Sequence, residues 1–164
     1  VEMSTGSLGQ GLSAANGMAI AAKLDARPTR VYVILGDGEA QEGQIWEASM
    51  TSVHHKLDNL MVFLDYNGLQ IDGTIRDVKS FTDPAARWRA FGWHVLEIDG
   101  HDIEAIYAAC KEARATKGKP TMVVAHTIKG KGVPFMENVV DWHGKAPSKE
   151  QAEEAISHIE ASLG

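Results

Sequence analysis

Four short runs of nearly unbroken apolar residues mark out the chain: "RVYVIL" at 30–35, "LMVFLD" at 60–65, "WHVLEID" at 93–99 and "PTMVVAH" at 120–126. Each is rich in β-branched or aromatic residues, is too short for a stable helix and runs into a polar or glycine-containing turn, which predicts buried strands. Between and around them, apolar and small residues recur at helical spacing in "LSAANGMAIAAKL" (12–24), "GQIWEASMTSVHHK" (43–56) and "DIEAIYAACKEARAT" (102–116). The segment "DPAARWRAFG" (83–92) has Asp83 at a cap position and Pro84 just inside it, both start signals for a helix. A closing helix is predicted over 148–163, opened by a capping box from Ser148 to Gln151. The Asn-Gly and Asp-Gly pairs of "NGLQIDG" (67–73) predict a loop, and residues 127–147 carry no sustained period.

Strands alternating with helices, the strands apolar on both faces, imply a mostly parallel sheet covered on both sides: a three-layer α/β/α domain. The 164 residues suffice for one such domain with a sizeable core, and no shift in composition asks for two. In sheets of this kind ligands gather beyond the carboxyl ends of the strands. Gly36-Asp37-Gly38, Asp65-Tyr66-Asn67, Asp99-Gly100-His101 and His126-Thr127 all fall there.

Charge and composition narrow the function. A net charge of −6 and a pI near 5.6 argue against nucleic-acid binding, which needs a basic face. The single cysteine, Cys110, permits no internal disulfide or cysteine-metal framework and fits a reducing, cytoplasmic setting. No apolar run approaches membrane-spanning length and no signal-peptide pattern is present, so a soluble protein is expected. The first residue is Val1 and a glycine-rich segment, "STGSLGQGLSAANG" (4–17), follows almost at once, so the chain reads as a piece of a longer one.

The chemistry centres on Asp37. Glycines on either side let the main chain approach a bulky anion, and the helix beginning at Gly43 or slightly earlier would aim its amino end at the same place. A carboxylate beside a phosphate is repulsive unless a divalent cation lies between them, and Mg²⁺ prefers one or two protein oxygens completed by phosphate oxygens and water. Asn67 offers a neutral side-chain oxygen from the next strand end, and a loop carbonyl such as that of Leu69 a third. Taken alone, a Gly-Asp-Gly triplet is a turn; its pairing with an asparagine thirty residues on, across one helix, points to a metal. By contrast "GSLGQG" (6–11) has the spacing G-x-x-G-x-G, so the dinucleotide fingerprint fails.

The stretch "GDGEAQEGQIWEASMTSVHHKLDNLMVFLDYN" resembles the thiamine diphosphate signature, which opens on Gly-Asp-Gly and closes about thirty residues later on asparagine. With "STGSLGQGLSAANGMAIAAKL" before it, "NGLQIDG" after it and "WHGKAP" at 142–147, nearly the whole chain is similar to the diphosphate-binding domain of transketolases. The wording "DYNGLQIDG" and "KGKGVPFMEN" is most similar to transketolases encoded as two polypeptides, where this domain belongs to the amino-terminal subunit. The resemblance implies the thiamine diphosphate-binding fold, thiamine diphosphate with Mg²⁺ or Ca²⁺ as cofactors, and metal ligation by Asp37, Asn67 and the Leu69 carbonyl. It also implies that Gly38 approaches the diphosphate through its backbone and that Asn67 touches both metal and cofactor. Gly6, Ser7 and Leu8 align with the segment that meets the cofactor's rings, Ser7 replacing a proline common in single-chain members. Ile71 and Ile128 would pack on those rings.

His143 in "WHGKAP" corresponds to the family histidine beside the diphosphate and the reacting carbon, where an imidazole gives or takes a proton or stabilises an oxyanion. Glu42 matches a glutamate at the interface between active sites. The strand-end residues His101 and His126 are pocket neighbours without an assigned role. The implied reaction moves a two-carbon ketol unit from a ketose phosphate to an aldose phosphate, in the manner of the pentose phosphate pathway. The glutamate that activates the cofactor's aminopyrimidine comes, in the family, from a separate pyrimidine-binding domain absent here. A carboxy-terminal partner subunit carrying that domain, and self-association across the cofactor interface, are therefore expected. The alternatives are another thiamine diphosphate enzyme, such as 1-deoxyxylulose 5-phosphate synthase or part of a 2-oxo-acid dehydrogenase, and a non-catalytic α/β interaction domain. The resemblance implies that 1-deoxyxylulose 5-phosphate synthase usually lacks an acid at position 42 and lacks "HGKAP", which favours transketolase.

Overall fold

The computed structural model describes residues 1–163. Four parallel strands form the main sheet: β1 (Val31–Gly36), β2 (Leu60–Tyr66), β5 (His94–Asp99) and β6 (Thr121–His126), in the order β1-β2-β6-β5. The helices are α1 (Gln10–Leu24), α2 (Gly43–His54), α3 (Ile75–Val78), α4 (Pro84–Ala90), α5 (Ile103–Ala115) and α6 (Lys149–Leu163). The architecture is the predicted sheet flanked by helices. Parallel strands cannot be joined by tight turns, so the consecutive strands are connected through helices, α2 between β1 and β2, α3 and α4 between β2 and β5, and α5 between β5 and β6.

Two apolar layers result. On one face Leu60, Val62 and Leu64 of β2 and Met122 and Val124 of β6 pack with Leu12, Ala15 and Ala19 of α1, Ile45 and Ala48 of α2, and Trp88 of α4. The small residues of α1 let it lie close to its neighbour: buried Asn16 donates to the Ala48 carbonyl at 2.8 Å and accepts from the Ser52 hydroxyl at 2.6 Å. On the opposite face Met61 and Val123 meet Ala109 and Ala113 of α5. Both α4 start signals operate, since Asp83 accepts from the Ala86 amide at 2.9 Å with Pro84 in the first turn. The capping box of α6 also forms, Ser148 and Gln151 bonding reciprocally at 2.9 and 3.3 Å. No described helix is long and apolar enough to cross a membrane.

Two segments differ from the sequence reading. The predicted 67–73 loop holds a two-stranded antiparallel ribbon, β3 (Leu69–Gln70) with β4 (Gly73–Thr74), followed directly by α3, whose first turn is capped by Thr74. Strands of two residues leave no alternation to read. After Asp37 the chain makes a 3-10 turn, Glu39–Gln41, and then extends at Glu42 before α2 begins. α2 itself starts at Gly43, where the sequence places it, with the turn lying between it and Asp37.

Candidate cofactor site

Parallel register brings the strand ends to one rim. Gly36 of β1 lies beside Asp65 of β2, which lies beside Ala125 of β6, and Tyr66 lies beside His126. Asp37 follows immediately and is 2% exposed. Its carboxylate accepts the Gly38 amide on one oxygen and the Gly68 amide on the other, both at 2.7 Å. The second bond crosses from the first strand end to the second, so the two halves of the sequence motif meet. Burial pushes the Asp37 carboxyl above the ordinary aspartate range, and the nearby Asp65 charge adds to it, against the backbone bonds from Gly68, Gly38 and Asn67. A carboxylate held ionised here is short of positive charge, which is the environment a divalent cation relieves.

Asn67 is half-buried and its amide is oriented from both sides. Its Nδ2 donates to Asp65 Oδ2 at 3.2 Å, while its Oδ1 accepts the Leu69 amide at 3.0 Å. The other oxygen of Asp65 accepts the Thr127 hydroxyl from the end of β6. This network fixes the orientation of the Asn67 amide, as the groups behind a metal ligand usually do. Asp65 and Thr127 were visible in the sequence only as strand-end residues; that they orient Asn67 follows from the register.

The donor set fits a hard cation. The buried Asp37 carboxylate, the Asn67 amide oxygen and the Leu69 carbonyl would make an all-oxygen set of low charge, suited to Mg²⁺ with phosphate oxygens completing it. No cluster of three or more His, Cys, Asp or Glu side chains with metal-holding geometry occurs among the described residues, so a Zn²⁺-type site is not built here. In this conformation the Gly38 amide is taken by Asp37, so Gly38 reaches a diphosphate only once that carboxylate turns. A side chain at Gly38 would press on Gln70 Cβ at 3.1 Å, so the close approach this glycine serves is to the β3–β4 ribbon.

The remaining sequence-predicted residues lie in the loop leading into α1, on the β3–β4 ribbon and in the segment after β6. Gly6, Ser7 and Leu8 are exposed, Leu8 at 56%, in the loop leading into α1. Gly9, at φ +85°, begins the helix, and its amide donates to Glu39 at 3.0 Å. Ile71 is 67% exposed at the tip of the ribbon, and Ile128 is half-buried. The Ile128 amide donates to His101 Nε2 at 2.8 Å, which gives His101 a role in holding the loop after β6. His126 stacks edge-on to the Tyr66 ring, the centroids 5.6 Å apart. His143 is exposed, in a 3-10 turn (Val140–His143) that packs against β3 and is anchored by Trp142, whose Nε1 donates to the Phe135 carbonyl at 3.0 Å. An open cleft of about 370 Å³ is lined by Tyr66, Asn67, Gly68, Arg76, His126 and Thr127 among others. It opens beside Asn67 rather than over Asp37.

A family model described as transketolase, thiamine diphosphate binding domain, matches residues 1–163. The chain belongs to the transketolase family. Among curated relatives, this transketolase domain is 46% identical over 160 residues to a 6-deoxy-6-sulfo-D-fructose transketolase subunit of Clostridium sp. (strain MSTE9), covering 98% of this chain and 58% of that protein. It is 46% identical over 159 residues to an apulose-4-phosphate transketolase subunit of Phocaeicola vulgatus, covering 97% and 57%. The transketolase domain thus spans little more than half the length of these relatives. The crystal structure of transketolase from Campylobacter jejuni superimposes with a TM-score of 0.90 at 34% identity, covering 98% of this chain and 26% of that one. The thiamine diphosphate-binding fold expected of a transketolase is the fold found.

Proposed function

We propose that this chain is the diphosphate-binding part of a two-polypeptide transketolase and anchors Mg²⁺ or Ca²⁺ and thiamine diphosphate for two-carbon ketol transfer from a ketose phosphate to an aldose phosphate. The observation that carries this is the closure of Asp37 onto Gly68, which sets a buried carboxylate beside Asn67 and Leu69. Asp37, Asn67 and the Leu69 carbonyl would hold the metal, and Gly38 and Asn67 the diphosphate. Gly6, Ser7, Leu8, Ile71 and Ile128 would face the rings; the exposure of Leu8 and Ile71 supports this, since each offers an apolar surface for a ring to cover.

Thiamine diphosphate, when bound, supplies the carbon nucleophile for ketol transfer. This chain's part is to orient it and to move a proton. His143, exposed on a turn against β3, would exchange that proton with the sugar hydroxyl or stabilise the oxyanion. A partner chain with the pyrimidine-binding domain would complete the site, and a second copy would close it across the cofactor interface. Relatives named as separate subunits support the need for a partner chain. The proposed setting is the reducing cytoplasm, and the proposed substrates are sugar phosphates of the pentose phosphate pathway. The sulfofructose and apulose phosphate named for the two relatives are the comparison donors.

Calorimetry with thiamine diphosphate and Mg²⁺, on the chain with its partner subunit, tests the anchor: Asp37→Ala and Asn67→Ala should abolish metal-dependent binding. Parent-like binding by both variants would sink the assignment. Ketol transfer by the 164 residues alone would refute the need for a partner.

A further inference from the structure

Glu39 is the first residue of the 3-10 turn after Gly38, and neither its spacing nor its neighbours in the sequence give it a role. Its two carboxylate oxygens are nevertheless committed to two separate loops. Oε2 accepts the Gly36 amide at 3.1 Å, at the very end of β1, and Oε1 accepts the Gly9 amide at 3.0 Å, thirty residues away in sequence. Among the described residues, the Gly9 bond is the only hydrogen bond joining residues 1–9 to any element beyond α1; the other bond of that segment is local, from the Gln10 amide to the Ser7 carbonyl. Gly9 is buried, and a Cβ there would lie 3.2 Å from Glu42 Cβ, so the loop is seated against the same turn sterically.

We propose that Glu39 is a positioning residue that locks the glycine-rich segment to the Asp37 loop, holding the two halves of the cofactor site at one separation. The proposal rests on the reading of the site given above, in which Gly6, Ser7 and Leu8 face the cofactor's rings while Asp37 and Asn67 hold its metal and diphosphate. A ligand gripped at both ends gains affinity when the grips are fixed before it arrives, because loop ordering then no longer opposes binding. A carboxylate is well suited to this, since it offers an acceptor to each amide, and bonds from N–H groups to an ionised acceptor are stronger than neutral ones.

The test uses the full-length protein, assembled with its partner chain, and three variants, Glu39→Ala, Glu39→Asp and Glu39→Gln. Hydrogen-deuterium exchange of the peptide spanning residues 1–12 should accelerate in Glu39→Ala, with α5 and β6 peptides unchanged. Its apparent Kd for thiamine diphosphate at fixed Mg²⁺ should rise about tenfold or more, the loss expected from a charged hydrogen bond. At saturating cofactor, kcat should return close to the parent value, a split that general loss of structure would not produce. Glu39→Asp, one methylene short, should match Glu39→Ala. Glu39→Gln, with one acceptor kept, should fall between, and it carries the test if the alanine variant does not fold. Parent-like affinity in Glu39→Ala and Glu39→Asp, with a parent that binds, would overturn the proposal alone. A parent that binds no thiamine diphosphate would overturn the site reading and this inference together.

Discussion

Replacing Asp37 by asparagine keeps the shape of the side chain, removes its charge and leaves one oxygen to accept from either Gly38 or Gly68. In the metal-free protein the change has two opposed effects. One of the two 2.7 Å bonds is lost, and a bond to a charged group is worth about 1.5–3 kcal/mol. Against this, a carboxylate 2% exposed no longer has to be ionised away from water. Burial raises the Asp37 pKa above its ordinary 3.8 despite the backbone bonds, so the environment as a whole disfavours the charge. Asp37→Asn should therefore cost at most about 1–2 kcal/mol at neutral pH. Asp37→Ala, which strands both amides, should cost more. The pH dependence isolates the charge. Between pH 3.8 and the raised folded value, the native state binds the proton that the unfolded chain has released, so stability present below 3.8 is lost as pH climbs through that window. Urea titrations across pH should show this slope in the parent and not in Asp37→Asn. Cofactor binding should respond far more strongly: loss of the only anionic ligand should weaken metal-dependent binding by more than about a hundredfold, since loss of outer-sphere partners alone costs about 10–100-fold. A variant that binds Mg²⁺ and thiamine diphosphate as tightly as the parent, or that keeps the parent's slope, refutes the reasoning.

Three further outcomes are expected. His143→Ala should lower ketol-transfer kcat by about 10²–10⁴-fold with no change in melting temperature, because the imidazole is exposed; steady-state kinetics and a thermal scan on the assembled enzyme decide it. Ser52→Ala removes a 2.6 Å bond to buried Asn16 and should destabilise by about 1–3 kcal/mol in denaturant titration without altering cofactor affinity. Gly100→Ala would set a Cβ 2.4 Å from Thr127 Cγ2 and 3.1 Å from Ala125 Cβ, displacing the residue whose hydroxyl holds Asp65. It should weaken metal-dependent binding in calorimetry, while Asn59→Ala, remote from the rim at the other end of the strands, lowers stability alone.

Asp37 and Asn67 were legible because each terminates an apolar run, and in a parallel sheet such ends converge on one rim. The strands themselves were legible to within a residue, since a core strand between two helical layers has few polar positions to blur it. Less legible was what happens within a few residues of those ends. The β3–β4 ribbon, α3 and the 3-10 turn are each four residues or fewer per element, shorter than any period that could reveal them. The turn mattered most, because between Asp37 and the expected helix start it sets a Glu39 side chain facing two amides.

That side chain changes how the rim is understood electrostatically. Asp37, Glu39 and Asp65 place three carboxyl groups at two adjacent strand ends, and each is occupied differently: Asp37 by the Gly38 and Gly68 amides, Glu39 by Gly9 and Gly36, Asp65 by Asn67 and Thr127. A bound cation would draw on a carboxylate whose own environment disfavours its charge. Asp37 is such a carboxylate, because burial and the neighbouring Asp65 charge outweigh its backbone bonds. Glu39 and Asp65 use their oxygens to hold other parts of the rim in place. The division predicts a difference in kind among neutralising substitutions: Asp37→Asn should remove the metal requirement's physical basis, whereas Asp65→Asn should leave a metal site whose Asn67 amide can turn over. Titration of Mg²⁺ against thiamine diphosphate binding separates the two, with metal-independent residual binding expected for Asp37→Asn and a higher Mg²⁺ requirement for Asp65→Asn. Identical behaviour of the two variants would contradict this division of labour.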